Sequence, residues 1–177
     1  MIPVLLGGAI VFAVWGMLRL APDSLIVPVF CRIPAELAAR YYNVALQIPE
    51  LIFSVRGATF EVIRPCGAMD FFSMVSGLLV YGMLTIRLRN LRTKFLAQTG
   101  ISVLLCLFAL PLAWLVTIAT NAVRLVFLVP VRALMYHYFS EKAYAAGAFG
   151  ALVFLTSFIL LWEGVCYVTR STTATAR

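Results

Sequence analysis

Runs of about twenty apolar residues alternate with short clusters of charge along this chain, and that alternation limits its possible folds more than any motif does. With 63% hydrophobic and 12% charged residues among 177, and a mean hydropathy of +1.01, the chain lacks the polar surface of a soluble domain. The expected fold is all-α: a polytopic integral membrane helical bundle of four to five apolar segments, forming one domain over residues 1–177. The formal net charge of +7 does not argue for nucleic acid, because the basic residues lie between apolar runs and not on one soluble face. Four cysteines without paired spacing and a single histidine provide neither a disulfide framework nor a metal motif, so no metal and no cofactor is expected.

The first run, Ile2 to Ala21, is closed by Pro22-Asp23-Ser24 and lacks the basic start and cleavage pattern of a signal peptide, so it reads as a retained signal-anchor helix. Residues 22 to 65 are mixed and belong on or beside the membrane, with Pro34 to Gln47 as an amphipathic helix stopped by Pro49. Two β-prone pieces within Leu51 to Ile63, around Arg56-Gly57, predict a short extracytoplasmic β-hairpin that delivers the chain to Cys66. The second span runs from Ala68 to Ile86. It ends at a basic stretch, Arg87 to Lys94, which marks the cytoplasmic side. A third span covers Phe95 to Thr120 and includes Pro111, which membrane helices tolerate when neighbours satisfy the freed carbonyl. Counting from the basic stretch puts Cys66 and Asn121 together on the outer side. The last span, Ala143 to Val168, carries Gly147, Gly150 and Gly164, which permit close helix approach, and Glu163, a carboxylate available to a Lys or Arg.

Three positions stand out chemically. Cys66 sits where a polar stretch meets an apolar run, with water on one side; Cys31, Cys106 and Cys166 adjoin or lie within apolar runs and read as small hydrophobes. Arg124 places an obligate cation in an apolar helix, at about 2.5 to 3.5 kcal/mol on insertion scales. It either snorkels to the interface or faces a polar site. Asn121 lies three residues earlier, hence on the same helical face, so the two can present donors to a carbonyl oxygen or a thiolate. His137, inside Tyr136-His137-Tyr138, is either an interfacial belt residue or the general base for a thiol. An unbroken helix would hold it about 20 Å from Arg124 and on nearly the opposite face. If Pro130 breaks the segment Asn121 to Phe139 and makes it re-entrant, His137 returns to the outer side; if the segment crosses, His137 lies at the inner face.

The order Cys, Arg, His resembles that of the exosortase/archaeosortase family, and the short length is most similar to its small K-type branch. Gly57-Ala58-Thr59-Phe60-Glu61-Val62 leading into Cys66-Gly67-Ala68-Met69-Asp70-Phe71-Phe72 is similar to the family's Cys-Ser-Gly box. Asn121-Ala122-Val123-Arg124-Leu125 is similar to its Asn-x-x-Arg box. Two departures stand beside these: Gly67 replaces the serine, and His137 lies upstream of where the family's histidine commonly sits. The resemblance implies a membrane-embedded cysteine transpeptidase of the inner membrane, with its active site facing the extracytoplasmic side. It would cleave C-terminal sorting signals of exported proteins and pass the acyl group to an acceptor, with membrane lipid around it. It assigns Cys66 as nucleophile, Arg124 as the cationic group and His137 as base, with Asn121 and Gly67 at the substrate. Gly77, Gly82, Gly147 and Gly150 are expected to leave room for the substrate's sorting helix between the spans.

The alternative is a non-catalytic scaffold or small transporter subunit of an envelope polysaccharide system, in which Arg124 and Glu163 are structural polar groups. An enzyme needs Cys66, Arg124 and His137 to converge on one water-accessible point. A scaffold does not.

Overall fold

The computed structural model describes residues 2–62, 68–90, 95–138 and 142–174, with side chains omitted for 2–3, 87–90, 95–107, 133, 135–138, 142–146 and 172–174. Six α-helices and one hairpin follow in the order α1 (Ile2–Leu20), α2 (Asp23–Ile26), a π-helical turn (Val27–Arg32), α3 (Ile33–Tyr41), β1 (Ile52–Val55), β2 (Ala58–Glu61), α4 (Met69–Asn90), α5 (Phe95–Tyr138) and α6 (Lys142–Ala174). Among the described residues, three helical stretches are long and apolar enough to cross a membrane: Met69–Ile86, Phe108–Arg132 and Gly147–Ser171. A fourth is added if α1 and the helical stretch after Pro22 count as one broken span.

The contacts gather into two compact units, each made from separate stretches of chain. The first contains Met1–Arg19, Asp70–Val116 and Phe158–Arg177. Here α1 and α4 approach through glycines: a Cβ on Gly77 would meet Val11 and lie 2.7 Å from the Gly7 carbonyl oxygen. Such contact brings the two helix backbones close together, with no side chain between them. Val80 and Leu84 bury against Ala109, and Tyr81 stacks on Trp162 with centroids 6.1 Å apart. The indole N–H of Trp15 donates to Asp70 Oδ1 at 2.9 Å, so the first turn of α4 is tied to α1.

The second unit contains Leu20–Met69 and Thr117–Ser157. Its hairpin is two-residue and antiparallel, with Val55 paired to Ala58. Arg56 (φ 51) and Gly57 (φ 80) both take the left-handed region, the geometry whose twist matches paired strands. Phe53 and Phe60 are register partners and stack at 5.4 Å. Side chains alternate along a strand, so Phe53, Val55 and Phe60 enter a core that also holds Cys31, Ala35, Ala38, Val62, Leu125 and Val129.

Two expectations change here. The amphipathic helix expected to reach Gln47 ends at Tyr41. Asn43 turns left-handed (φ 52), and the N–H groups of Asn43 and Val44 return to Arg40 and Ala39 carbonyls, each at 3.0 Å. That is a Schellman stop with asparagine in glycine's usual place. The other concerns a break between helices: the third span, expected to end at Thr120, and the segment after Asn121, for which both re-entry and crossing were open, form one 44-residue helix that runs through Pro130.

The reason lies at Val126. Proline at 130 has no N–H for the carbonyl four residues before it, which normally kinks a helix. Tyr42 Oη instead donates to the Val126 carbonyl at 2.5 Å, so the freed acceptor is satisfied. Burial, reinforced by Tyr41 and opposed by Arg56, pushes the Tyr42 phenol above its usual value of 10. A raised phenol keeps its proton through the neutral range, so this contribution to stability is lost only as the pH rises beyond about 10. Tyr42→Phe is expected to destabilise the protein by about 1 kcal/mol, and by less in a Pro130→Ala background, where residue 130 regains its own N–H. Thermal unfolding of the four variants checks this; equal losses in both backgrounds would contradict the pairing.

Candidate active site

Arg124 and Asn121 lie on one face of α5, as their spacing requires. Arg124 Nη1 donates to Asn121 Oδ1 at 3.3 Å, and Asn121 is fully buried at 0% exposure. The guanidinium then lies against α6. A Cβ on Gly150 would stand 2.5 Å from Arg124 Nε and 3.0 Å from Cζ and Nη2. One turn further along, the Phe154 ring lies 5.3 Å from Arg124 Cζ. A glycine flat and an aromatic face therefore form a seat for the planar cation, with Asn121 fixing its edge. These three contacts come from neutral groups and orient the guanidinium.

Three of the four glycines expected to leave room are filled from within the chain. Gly150, expected to leave room for a foreign helix, is filled by Arg124. Gly77 is filled by α1 and Gly82 by Val165, whose Cγ1 would lie 2.7 Å from an added Cβ. Only Gly147, among these four, has nothing within 4 Å. Asn121, assigned to substrate, is buried with its amide oxygen engaged by Arg124, so its placement is that of a residue that orients the cation.

Cys66 and Gly67 lie outside the described residues. Val62, the last described residue before them in sequence, donates its N–H to the Leu51 carbonyl at 3.2 Å. Val62 shares a core with Leu125, the residue after Arg124. Cys31 is buried at 0% exposure and Cys166 is half-buried, in keeping with small hydrophobes.

His137 is on α5, which runs unbroken past Pro130, so of the two courses open to this segment the break at Pro130 is the one not seen; its side chain lies outside the described residues. At about 1.5 Å per residue His137 lies roughly 20 Å farther along the axis than Arg124, on nearly the opposite face. Glu163 is exposed on α6; an ion pair among the described residues joins Arg32 to Glu36 at 2.7 Å. Gly150 and Phe154 were not identifiable as partners of Arg124 from sequence. Their four-residue spacing puts them on one face, but nothing in their own helix points to a cation on another. No family model, no curated protein and no solved structure matches the chain.

Proposed function

We propose that this chain is a membrane-embedded cysteine transpeptidase, resembling the exosortases, in which Cys66 is the nucleophile and Arg124 the fixed cation beside it. The observation that carries the reading is the Arg124 seat: a guanidinium retained in an apolar helix, edge-bonded to a buried amide and laid on Gly150 and Phe154. A cation held this way at such insertion cost is oriented for use. The shared core of Val62 and Leu125 supports a short path from this helix to Cys66.

Exposed Leu152, Leu155, Ile159, Leu160 and Trp162 on α6 support burial in lipid, since a soluble surface would not gather them. In the proposed orientation the basic stretch after α4 is cytoplasmic. With α5 unbroken, α6 returns to that same side, leaving Arg177 in the cytoplasm and the Cys66 segment extracytoplasmic, in the inner membrane.

In the reaction, the positive charge of Arg124 favours the Cys66 thiolate. The thiolate attacks the scissile carbonyl carbon near the C-terminal helix of an exported protein, while the guanidinium donates to the developing oxyanion. The C–N bond breaks, water supplies the proton to the departing amine, and a thioester remains. An acceptor nucleophile then takes the acyl group and releases the thiolate. His137 has no part beside Arg124.

The test is Arg124→Lys. A lysine keeps the charge but cannot lie flat on Gly150 or offer two parallel donors. Processing of a co-expressed exported protein with a C-terminal apolar helix is expected to fall about a hundredfold; full activity in Arg124→Lys would contradict the role of the planar fork.

A further inference from the structure

A second cationic site lies within the same unit, away from Arg124. The end of α3, the hairpin turn and the last turns of the α5 apolar stretch enclose a cleft of 290 Å³ bounded by Tyr41, Tyr42, Arg56 and Arg132, over Val55, Ala58, Val129 and Pro130. Two arginines line it and, among the described residues, no carboxylate does. We propose that this cleft binds the phosphate of an anionic phospholipid.

Arg132 is held in place: Nη1 donates to the Thr59 carbonyl at 2.8 Å, and the guanidinium lies over the Phe60 ring at 4.9 Å. Arg132 thus lines the cleft with an already ordered side chain, and binding there avoids the entropy loss of fixing a loose one. Arg56 comes from the tip of the hairpin, at a left-handed position (φ 51) where asparagine is the favoured residue. An arginine there sacrifices some turn stability and brings a second positive charge to the cleft.

Charge complementarity points to an anion, and the planar fork of arginine suits phosphate oxygens. The apolar floor distinguishes the source. Val55, Ala58, Val129 and Pro130 offer nothing to a fully hydrated phosphate ion, but they accept the glycerol and first acyl carbons of a lipid. The level agrees as well: Arg132 ends the apolar stretch Phe108–Arg132, and Tyr41 is 70% exposed beside it. Arginine and tyrosine at the end of a span are headgroup-level residues. The inference rests on the membrane placement proposed above and is independent of the cysteine chemistry.

Full-length protein in nanodiscs of phosphatidylcholine with added phosphatidylglycerol tests it, with retained lipid read by native mass spectrometry. Wild type is expected to retain phosphatidylglycerol over phosphatidylcholine, and Arg56→Asn to bind it about tenfold more weakly. Asparagine suits the turn, so the thermal transition should hold, which separates lost charge from lost fold. Equal retention by wild type and Arg56→Asn, or no preference for phosphatidylglycerol, would overturn the proposal. Displacement of the lipid by equimolar glycerol phosphate would overturn it too, by showing that a soluble phosphate suffices. Carbonate washing of membranes separates the two readings: release of wild-type protein would overturn the membrane placement and the lipid site together. Retention in the membrane with unchanged lipid binding overturns the cleft alone.

Discussion

Cys66→Ala is expected to abolish processing of an exported protein bearing a C-terminal apolar helix, a loss of at least about a thousandfold, while Cys166→Ala leaves it intact. Removing the nucleophile deletes the acyl intermediate, and no neighbouring group can replace a thiolate at neutral pH. Cys166 has the same chemistry in a different setting, half-buried in α6, so comparing the two separates a reactive thiol from a general thiol effect. The comparison is read by immunoblot of precursor and product. Precursor that still disappears in Cys66→Ala removes the proposed mechanism.

Gly150→Ala is expected to separate stability from activity with opposite signs. Glycine within a helix is destabilising by roughly 0.5 to 1 kcal/mol relative to alanine, so the substitution favours α6 itself. The new methyl group, however, would occupy the place of Arg124 Nε. The clash is with the far end of a flexible side chain, so the guanidinium moves aside and the backbone need not. The thermal transition should hold or rise, and processing should fall about tenfold or more, because a displaced donor loses its aim at the oxyanion. Reduced stability together with reduced activity would mean that Gly150 serves helix packing only.

Legibility differed between local and distant features. The apolar stretches of α4 and α6 followed from run length, and the hairpin from Arg56-Gly57, because both signals are local. Asn121 and Arg124 were also legible, since a spacing of three fixes a common face. The continuity of α5 was not. Pro130 does remove a hydrogen bond, but Tyr42, 84 residues away from Val126 in sequence, makes good the loss, and periodicity cannot reveal a partner that distant. The early end of α3 was missed because Pro49 drew attention from Asn43, whose left-handed turn closes the helix six residues sooner. The Arg124 seat was half visible: the face on α5 could be read, while Gly150 and Phe154 looked like ordinary packing residues of α6.

The central claim, that Arg124 acts on the Cys66 sulfur, is tested most directly by the rate at which Cys66 reacts with iodoacetamide at pH 7. The protein used carries alanine at Cys31, Cys106 and Cys166, so that a single thiol is read and no substrate is needed. A free thiol is only slightly ionised at that pH, with a half-point near about 8.5, whereas a fixed cation beside it raises the thiolate fraction. Alkylation is expected to be about tenfold faster with Arg124 present than in Arg124→Gln, and Gly150→Ala should fall between the two. Equal rates in all three proteins would contradict the account and leave Arg124 as a structural cation of a non-catalytic membrane protein.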